Sequence, residues 1–209
     1  MGSRDSTDEE LITRAREGDR AAQHQLWRFH RRWVAAIVLA HRPRSIELDD
    51  LLQDVALKFI GKIHTLRESR AFRPWLRQIT LNVCRGAGRS IKLTLRLVSD
   101  DRRDATHREP GSVAAPASAS GEVHQQLERR EAAERLLQQA LTLPIAYREP
   151  LLLRCVRSMS YKQISDVLGL PLTTVETRLA RARRMLRQEI SAAADRPRVE
   201  SAGDPAEPR

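Results

Sequence analysis

The sequence predicts an all-α fold of two small helical domains joined by a flexible linker, the C-terminal one a helix-turn-helix. Aromatic residues make up only 4% of the 209 residues, whereas Leu, Ala and Arg are abundant, which favours long helices over sheets. Apolar residues recur at helical spacing through most of the chain, and two polar stretches interrupt them. We therefore expect domains at residues 7–95 and 123–191, a flexible linker at 96–122 and a disordered tail at 192–209.

Charge and cysteine usage restrict the class of function. The formal net charge is +10 and the pI about 10.8, which favours a polyanionic partner. There is no apolar run of about 18 residues and no basic-then-apolar N-terminus, so we expect no membrane span, no secretion and a cytoplasmic location. Cys84 and Cys155 are isolated, without a CxxC pattern or a nearby histidine pair. We therefore expect no metal, cofactor or disulfide.

Two helices are expected at the start of the first domain. Thr7 and Glu10 form a capping box that opens a short helix, which Gly18 ends. Asp19 then caps a longer helix, which Pro43 ends. The positions of this longer helix expected to face a core are Ala22, Leu26, either Phe29 or Trp33, and Ile37.

The next helix, within residues 46–63, has an apolar side and an acidic side. The apolar side carries Leu48, Leu51, Leu52, Val55, Phe59 and Ile63. The polar side carries Asp49, Asp50, Gln53, Asp54 and Lys58. Acids in the first turn, and the pair of Asp54 and Lys58 four residues apart, stabilise a helix by themselves. The concentration of acid in a basic protein also indicates a separate protein-binding face.

A basic helix with aromatic residues follows within residues 69–90. Gly86 and Gly88 predict that it frays or ends early. Four arginines accompany its aromatic and apolar positions: Arg73, Arg77, Arg85 and Arg89. Basic residues interleaved with aromatic ones can bind single-stranded nucleic acid. Phe72 and Trp75 are equally consistent with core residues.

The signals of a helix-turn-helix lie within residues 160–187. Two capping boxes predict two helix starts, and a glycine followed by a proline predicts the turn between them. These residues are Ser160 with Gln163, Thr173 with Glu176, and Gly169 with Pro171. Two short-linked helices of this kind predict that the second enters a DNA major groove.

The second of these helices is crowded with arginine. Its arginines are Arg178, Arg181, Arg183, Arg184 and Arg187. Such a run is often only the solvated face of an amphipathic helix. The specific turn chemistry and the scarcity of acids after Glu176 favour DNA binding over that explanation.

Four stretches, in this order, resemble the extracytoplasmic-function group of bacterial sigma factors, two-domain subunits that recruit RNA polymerase to promoters. TDEELITRAREGDRAAQHQLW is similar to the opening helices of that family, and LDDLLQDVALKFI to its segment that grips the polymerase clamp helices. FRPWLRQITLNVCR resembles the promoter-melting segment. The stretch from LPIAYREP to RRMLR resembles the C-terminal domain that reads the upstream promoter element.

The resemblance implies binding residues but no catalytic residue, metal or cofactor. The polymerase-binding candidates are Asp49, Asp50, Gln53, Asp54 and Lys58. The candidates for the melted strand are Arg73, Trp75, Asn82, Arg85 and Arg89. The candidates for duplex DNA are Thr173, Thr174, Glu176, Thr177, Arg178 and Arg181. The implied partners are bacterial core RNA polymerase, promoter DNA as duplex and melted strand, and an anti-sigma protein.

The chain also departs from that family at particular positions. Gly86 and Ala87 stand where the family usually has an acid and an aromatic residue, and Ala56 where it often has an aromatic one. Glu176 occupies a position that is commonly basic; we favour it as the capping partner of Thr173 over an acceptor from a cytosine amino group. We expect the departure at Gly86 and Ala87 to affect promoter melting more than polymerase binding.

Two other classes of protein fit the sequence less well. A helix-turn-helix regulator would bind duplex DNA without polymerase, and the acidic side of residues 49–54 argues against it. An enzyme is disfavoured because the sequence has no Gly-rich phosphate loop, no HExxH pattern and no nucleophile signature.

Overall fold

The structure is a computed structural model that describes residues 3–100 and 121–194. These ranges form α-helices and two short 3-10 turns, with no strand among them, which confirms the all-α prediction. The helices are α1 (Ser3–Arg16), α2 (Arg20–His41), α3 (Leu48–Lys62), α4 (Phe72–Asp100), α5 (Gly121–Thr142), α6 (Ile145–Arg157), α7 (Tyr161–Leu168) and α8 (Leu172–Ala194). The 3-10 turns are Ile63–Thr65 and Ser69–Ala71.

The junction of α1 and α2 forms as the sequence predicts. Gly18 takes a φ of +95°, which suits glycine and reverses the chain. The Asp19 side chain then caps α2 by accepting from the amides of Ala21 at 2.8 Å and Ala22 at 3.1 Å. The amide of Ala22 and the guanidinium of Arg14 hold the pKa of Asp19 below its usual value. The predicted start of α1 is wrong, because the helix begins at Ser3 and Thr7 lies inside it.

Helix α2 organises the core of the N-terminal domain. Leu26, Val34 and Ile37 are fully buried. Trp33 is 2% exposed and Phe29 is 44% exposed, so Trp33 is the one that faces the core. α2 packs against α1, α3 and α4.

An aromatic cluster joins α2, α3 and α4. The ring of Phe59, which is fully buried, lies 6.1 Å from Trp27, 6.2 Å from Phe72 and 6.3 Å from Trp75. Rings at these separations contribute beyond the area they bury. This cluster fixes the start of α4 against α3 and thereby orients both predicted binding helices.

Helix α4 is longer than predicted. It passes through Gly86 and Gly88 and continues to Asp100. A glycine inside a helix costs about 1 kcal/mol relative to alanine, but α4 packs against both α2 and α3, and this packing outweighs propensity. The outer parts of the predicted linker, 96–100 and 121–122, are therefore helical. Its middle part, 101–120, lies outside the described residues. Of the predicted tail at 192–209, residues 192–194 are instead the end of α8, and the rest lies outside the described residues.

The C-terminal domain is built around α6, which packs against α5, α7 and α8. Its core contains Leu143, Leu151, Leu152, Leu153, Ile164, Val167, Val175, Leu179 and Ala182. The first capping box is confirmed. The backbone N–H of Gln163 donates to Ser160 Oγ at 3.2 Å, and the backbone N–H of Ser160 donates to Gln163 Oε1 at 2.9 Å. Gly169 ends α7 with a φ of +65°, as predicted.

The second capping box is wrong. α8 begins at Leu172, because the carbonyl of Pro171 already accepts from the amides of Thr174 and Val175. Thr173 therefore lies inside the first turn, where its own carbonyl accepts from the Thr177 hydroxyl at 2.8 Å. A residue in helical conformation cannot serve as the extended cap of the same helix. Glu176 is thus not a capping partner of Thr173.

Replacing Gly86 and Gly169 by alanine should change stability in opposite directions. A Cβ at Gly86 meets nothing within 4 Å, so Gly86→Ala should raise the free energy of unfolding by about 0.5–1 kcal/mol. Gly169→Ala should lower it by roughly 1 kcal/mol, because its φ of +65° strains an L residue. Urea unfolding followed by circular dichroism measures both. A stabilising Gly169→Ala would contradict the left-handed turn.

Candidate nucleic-acid and protein interfaces

The polar side of α3 is an open acidic face. The predicted polymerase-binding residues Asp49, Asp50, Gln53, Asp54 and Lys58 are all exposed. Buried Leu51, Leu52, Val55 and Phe59 hold the opposite side of the helix against the core. Asp49 Oδ1 lies 3.0 Å from Arg31 Nη2, but both side chains are more than half exposed, and such ion pairs contribute little. The face is therefore free to meet another molecule.

Two apolar side chains lie on this same face and were missed by the sequence analysis. Leu57 is 62% exposed and Ile60 is 50% exposed. Both are out of phase with the buried stripe of α3, which is the signal that could have identified them. An apolar centre flanked by polar residues is typical of a protein–protein interface. We refer to Asp49, Asp50, Gln53, Asp54, Leu57, Lys58 and Ile60 as the α3 face.

Helix α4 presents different residues on two sides. Asn82, Arg85 and Arg89 are exposed and follow one another at intervals of three and four, so they share one face. Gln78 Nε2 donates to Asn82 Oδ1 at 3.1 Å and continues this face by one turn. We refer to Gln78, Asn82, Arg85 and Arg89 as the open stripe of α4.

The other two predicted strand-binding residues, Arg73 and Trp75, are less exposed than the open stripe. Arg73 is largely covered and lies 3.6 Å from Asp8 and 3.9 Å from Asp166. Trp75 is partly buried, with its ring 6.1 Å from that of Phe72. Phe72 itself is 2% exposed and is a core residue. Trp75 nevertheless lies three residues before Gln78 and seven before Asn82, so it shares the face of the open stripe, whereas Arg73 lies on the opposite side of α4.

A cavity of about 500 Å³ separates the α3 face from the open stripe. Its lining residues are Asp54, Lys58, Val83, Gly86, Ala87, Arg89 and Ser90. Because Gly86 has no side chain and a Cβ there would meet nothing within 4 Å, the cavity opens beside this glycine. Acidic α3 and basic α4 thus face each other across this cavity.

The predicted recognition helix lines a groove of about 390 Å³. Five of the predicted duplex-binding residues, Thr173, Thr174, Thr177, Arg178 and Arg181, line it together with Ala146 and Tyr147 of α6. Buried Val175 and Leu179 anchor the other side of α8, which is why these polar residues face outward. Glu176 is exposed one residue away but does not line the groove.

The remaining arginines of α8 have different surroundings. Arg183 donates from Nη2 to the Tyr161 hydroxyl at 3.1 Å, which ties α8 to α7. Arg184 and Arg187 are exposed and do not line the groove. Of the five arginines, only Arg178 and Arg181 therefore line the groove.

Ala146 and Tyr147 are groove residues that the sequence analysis missed. Tyr147 falls in the apolar periodicity of α6 together with Leu151 and Leu152. This pattern predicts that its side chain lies in the core. The structure leaves it only partly buried. No local sequence signal separates these two outcomes, because they depend on how α6 packs against α8.

The described ranges contain no candidate metal site and no activated cysteine. Within 3–100 and 121–194, no group of three or more His, Cys, Asp or Glu side chains could hold a metal ion. Burial raises the pKa of the Cys84 thiol to about 11 and also raises that of Cys155, so neither has the thiolate character of a nucleophile. Among the described helices, none is long and apolar enough to cross a membrane.

Two family models match the chain in the order of its domains. The model of sigma-70 region 2 matches residues 26–92, which include α3 and the open stripe of α4. The model of sigma-70 region 4 matches residues 133–186, which include the α8 groove.

Curated proteins and a solved structure agree with these matches. The RNA polymerase sigma factor NccH of Alcaligenes xylosoxydans xylosoxydans is 33% identical over 187 residues, covering 87% of this chain and 93% of NccH. The ECF RNA polymerase sigma-E factor of Escherichia coli K12 is 25% identical, covering 88% and 94% of the two chains. The structure of CnrH in complex with the cytosolic domain of CnrY matches with a TM-score of 0.57 and 25% identity, covering 88% of this chain and 97% of that one.

Proposed function

This chain belongs to the sigma-70 family of RNA polymerase sigma factors, in its extracytoplasmic-function group, and from this premise we propose which surface carries each step of initiation. It binds core RNA polymerase and directs promoter-specific transcription initiation. Sigma factors in general are not enzymes. The match to region 2 argues against the alternative hypothesis of a helix-turn-helix regulator that acts without polymerase.

We propose that the α3 face binds core polymerase. It is acidic in a chain of net charge +10, and such a contrast selects a basic partner surface. Its centre is apolar, with Leu57 and Ile60 exposed, so docking would remove apolar area from water. The charged rim would then set orientation and the two apolar side chains would supply affinity.

The α8 groove is our proposed site for the upstream promoter element, and its convergence of three threonines and two arginines is the observation that carries this assignment. A helix fits the major groove, where arginine pairs with guanine or holds phosphate. Tyr147 on the rim would contact the sugar-phosphate backbone. Because Glu176 does not cap α8, we propose that it accepts from a cytosine amino group instead.

The open stripe of α4 is our proposed site for the melted promoter strand. Arg85 and Arg89 supply positive charge along one face, and Asn82 supplies an amide that can read a base edge. The cavity beside Gly86 gives room for an unstacked base. Unstacking a base costs a few kcal/mol, which contacts to phosphate and to base edges would offset.

The connection between the two domains should make these contacts cooperate. When region 2 is held on polymerase, residues 101–120 tether region 4 near the upstream element, so the second contact becomes intramolecular. Two weak DNA contacts then combine into one of useful affinity.

Regulation and location follow from the same assignment. CnrH is described in complex with the cytosolic domain of CnrY, and we propose a comparable protein partner, an anti-sigma factor, for this chain. We also propose that the protein works in the cytoplasm, beside the polymerase and without a cofactor.

Run-off transcription with purified core polymerase tests the function as a whole. The chain should bind core polymerase and start transcripts at a cognate promoter, identified by sequencing of DNA bound by the holoenzyme. Binding of duplex DNA without binding of polymerase would contradict the proposal.

Leu57→Glu should weaken binding to core polymerase by about tenfold or more, because it places a charge at the apolar centre of the α3 face. Leu127→Glu is the matched control, since Leu127 is 52% exposed on α5, away from that face. Asp54→Arg, which reverses a rim charge, should also weaken binding. Fluorescence anisotropy with labelled protein measures each dissociation constant. Equal affinity of the two leucine variants would rule out the α3 face.

Arg178→Ala should reduce affinity for the upstream element by about 10- to 100-fold, the range expected for loss of one bidentate base contact. Arg184→Ala provides the comparison, because Arg184 is exposed on α8 outside the groove. Duplex binding is measured at one fixed salt concentration, since phosphate contacts are salt-dependent. A larger loss for Arg184→Ala would place the duplex on another side of α8.

The double variant Arg85→Ala/Arg89→Ala should bind a single-stranded promoter oligonucleotide less tightly and form fewer open complexes. Its affinity for polymerase should not change. Arg129→Ala/Arg130→Ala removes the same charge from exposed positions of α5, so it corrects for net charge. Permanganate reactivity of unpaired thymines reports strand opening. Similar opening by both double variants would disprove a role for the open stripe.

A further inference from the structure

Helices α7 and α8 are joined by a polar contact at the end of the pair that lies away from their turn. Arg183 of α8 donates from Nη2 to the Tyr161 hydroxyl at 3.1 Å. Among the side chains that the structure describes, no other hydrogen bond joins these two helices. The turn at residues 169–171 is therefore the first fixed point of the pair, and the contact of Tyr161 with Arg183 is the second.

Tyr161 also contacts α6, through Arg154. The guanidinium carbon of Arg154 lies 5.7 Å from the centroid of the Tyr161 ring, within the range in which a cation is attracted to an aromatic face. Nη1 of the same arginine donates to the carbonyls of Ser158 at 3.2 Å and Met159 at 2.8 Å. Ser158 has a φ of +52°, which non-glycine residues rarely adopt. Arg154 thus stabilises the turn that leads into Tyr161, and three helices meet at this ring.

The part of α8 that lines the groove lies between the two fixed points. Its groove residues run from Thr173 to Arg181, so the turn precedes them and Arg183 follows them. The rise of an α-helix places Arg183 about 16 Å along the axis from Leu172, the first residue of α8. A displacement at the Arg183 end would therefore move the whole groove side of the helix.

Arg183 projects from a different side of α8 than the groove residues. Arg181 lies two residues before it, which is about 200° around the helix. Neither Arg183 nor Tyr161 lines the groove. A duplex bound in the groove would thus not meet this contact, and Tyr161 would act on the duplex through the placement of α8.

Apolar packing alone does not fix the rotation of α8. Buried Val175, Leu179 and Ala182 hold the helix on the core, but hydrophobic attraction is non-directional, so small rotations are little penalised. A hydrogen bond is directional. Binding residues must be held within about 0.5 Å and 10–20° of the productive geometry, and the contacts of Tyr161 restrict the rotation on which that geometry depends.

We propose that Tyr161 is a positioning residue for promoter recognition. Its contacts with Arg154 and Arg183 set the rotation of α8, and thereby the base edges that Arg178 and Arg181 reach in the major groove. Attraction to phosphates is independent of sequence, so the Tyr161 hydroxyl contributes to the choice of sequence more than to the general affinity for DNA. This role rests on the proposed binding of the upstream element in the α8 groove.

Duplex binding by the full chain tests this role. Tyr161→Phe removes the hydroxyl and keeps the ring beside Arg154. Its affinity for the cognate upstream element should fall about three- to tenfold, the equivalent of one hydrogen bond, while its affinity for a duplex with a scrambled element should not change. Thr142→Val is the matched control, because the Thr142 hydroxyl donates to Glu189 of α8 at 2.7 Å, beyond the groove residues. Equal losses on both duplexes, or none, would overturn the proposal.

Arg183→Met removes the same contact from α8. It should reproduce the loss of sequence preference, with Arg184→Met as the charge-matched control, since Arg184 is exposed outside the groove. The double variant Tyr161→Phe/Arg183→Met should lose no more preference than the more affected single variant, because both changes remove one interaction. Circular dichroism verifies that each variant keeps its helices. Losses that multiply in the double variant would contradict a shared role.

A third comparison separates positioning from direct contact with DNA. If Tyr161 acts through Arg178, the loss caused by Tyr161→Phe should be smaller in an Arg178→Ala background than in the unchanged protein. Losses that multiply would mean that Tyr161 binds DNA by itself, which would overturn positioning. Normal binding by Arg178→Ala would refute the groove assignment. Normal binding by Tyr161→Phe beside a weakened Arg178→Ala would refute only the role of Tyr161.

Discussion

The burial requirement of α2 determines the arrangement of this protein. Residues 33–40 present apolar side chains in every direction, and Val34, Ala36, Ile37 and Val38 are fully buried. No single partner helix can cover such a segment. It is surrounded by α1, α3 and α4 from its own domain and by α6 from the other. The same constraint therefore builds the N-terminal core and draws the C-terminal domain onto it.

The binding surfaces are what remains after this burial. α3 commits Leu51, Val55 and Phe59 to the core, so its acids, with Leu57 and Ile60, must face outward. α8 commits Val175 and Leu179, and its threonines and arginines consequently line the groove. The acidic surface thus lies on α3 and the basic groove on α8, so each can select an oppositely charged partner without interference from the other. The cavity at Gly86 is where the two kinds of surface approach one another.

Burial also decides which ion pairs contribute to the stability of the structure. The contacts of Arg31 with Asp49 and of Arg70 with Glu68 are exposed and are screened by water and salt. Glu149 has a 7% exposed side chain and meets Arg77 in a bidentate pair, so its removal from water must be compensated by geometry. This pair links the stability of the domain contact to α4, a proposed DNA-binding helix.

The sequence by itself determined the helices, the turn and the class of protein, because these depend on local chemistry. Apolar spacing, the Asp19 cap and the Ser160 box specify their helices within a few residues, and Gly169 ends α7 as its backbone freedom requires. Packing decided what local rules could not. It carried α4 through two glycines, started α8 before Thr173 and exposed Leu57. It also turned Tyr147 toward a groove and paired Arg77 with Glu149, which is 72 residues away in the chain. Those outcomes depend on which helices meet, and no local pattern encodes a neighbour contributed by another domain.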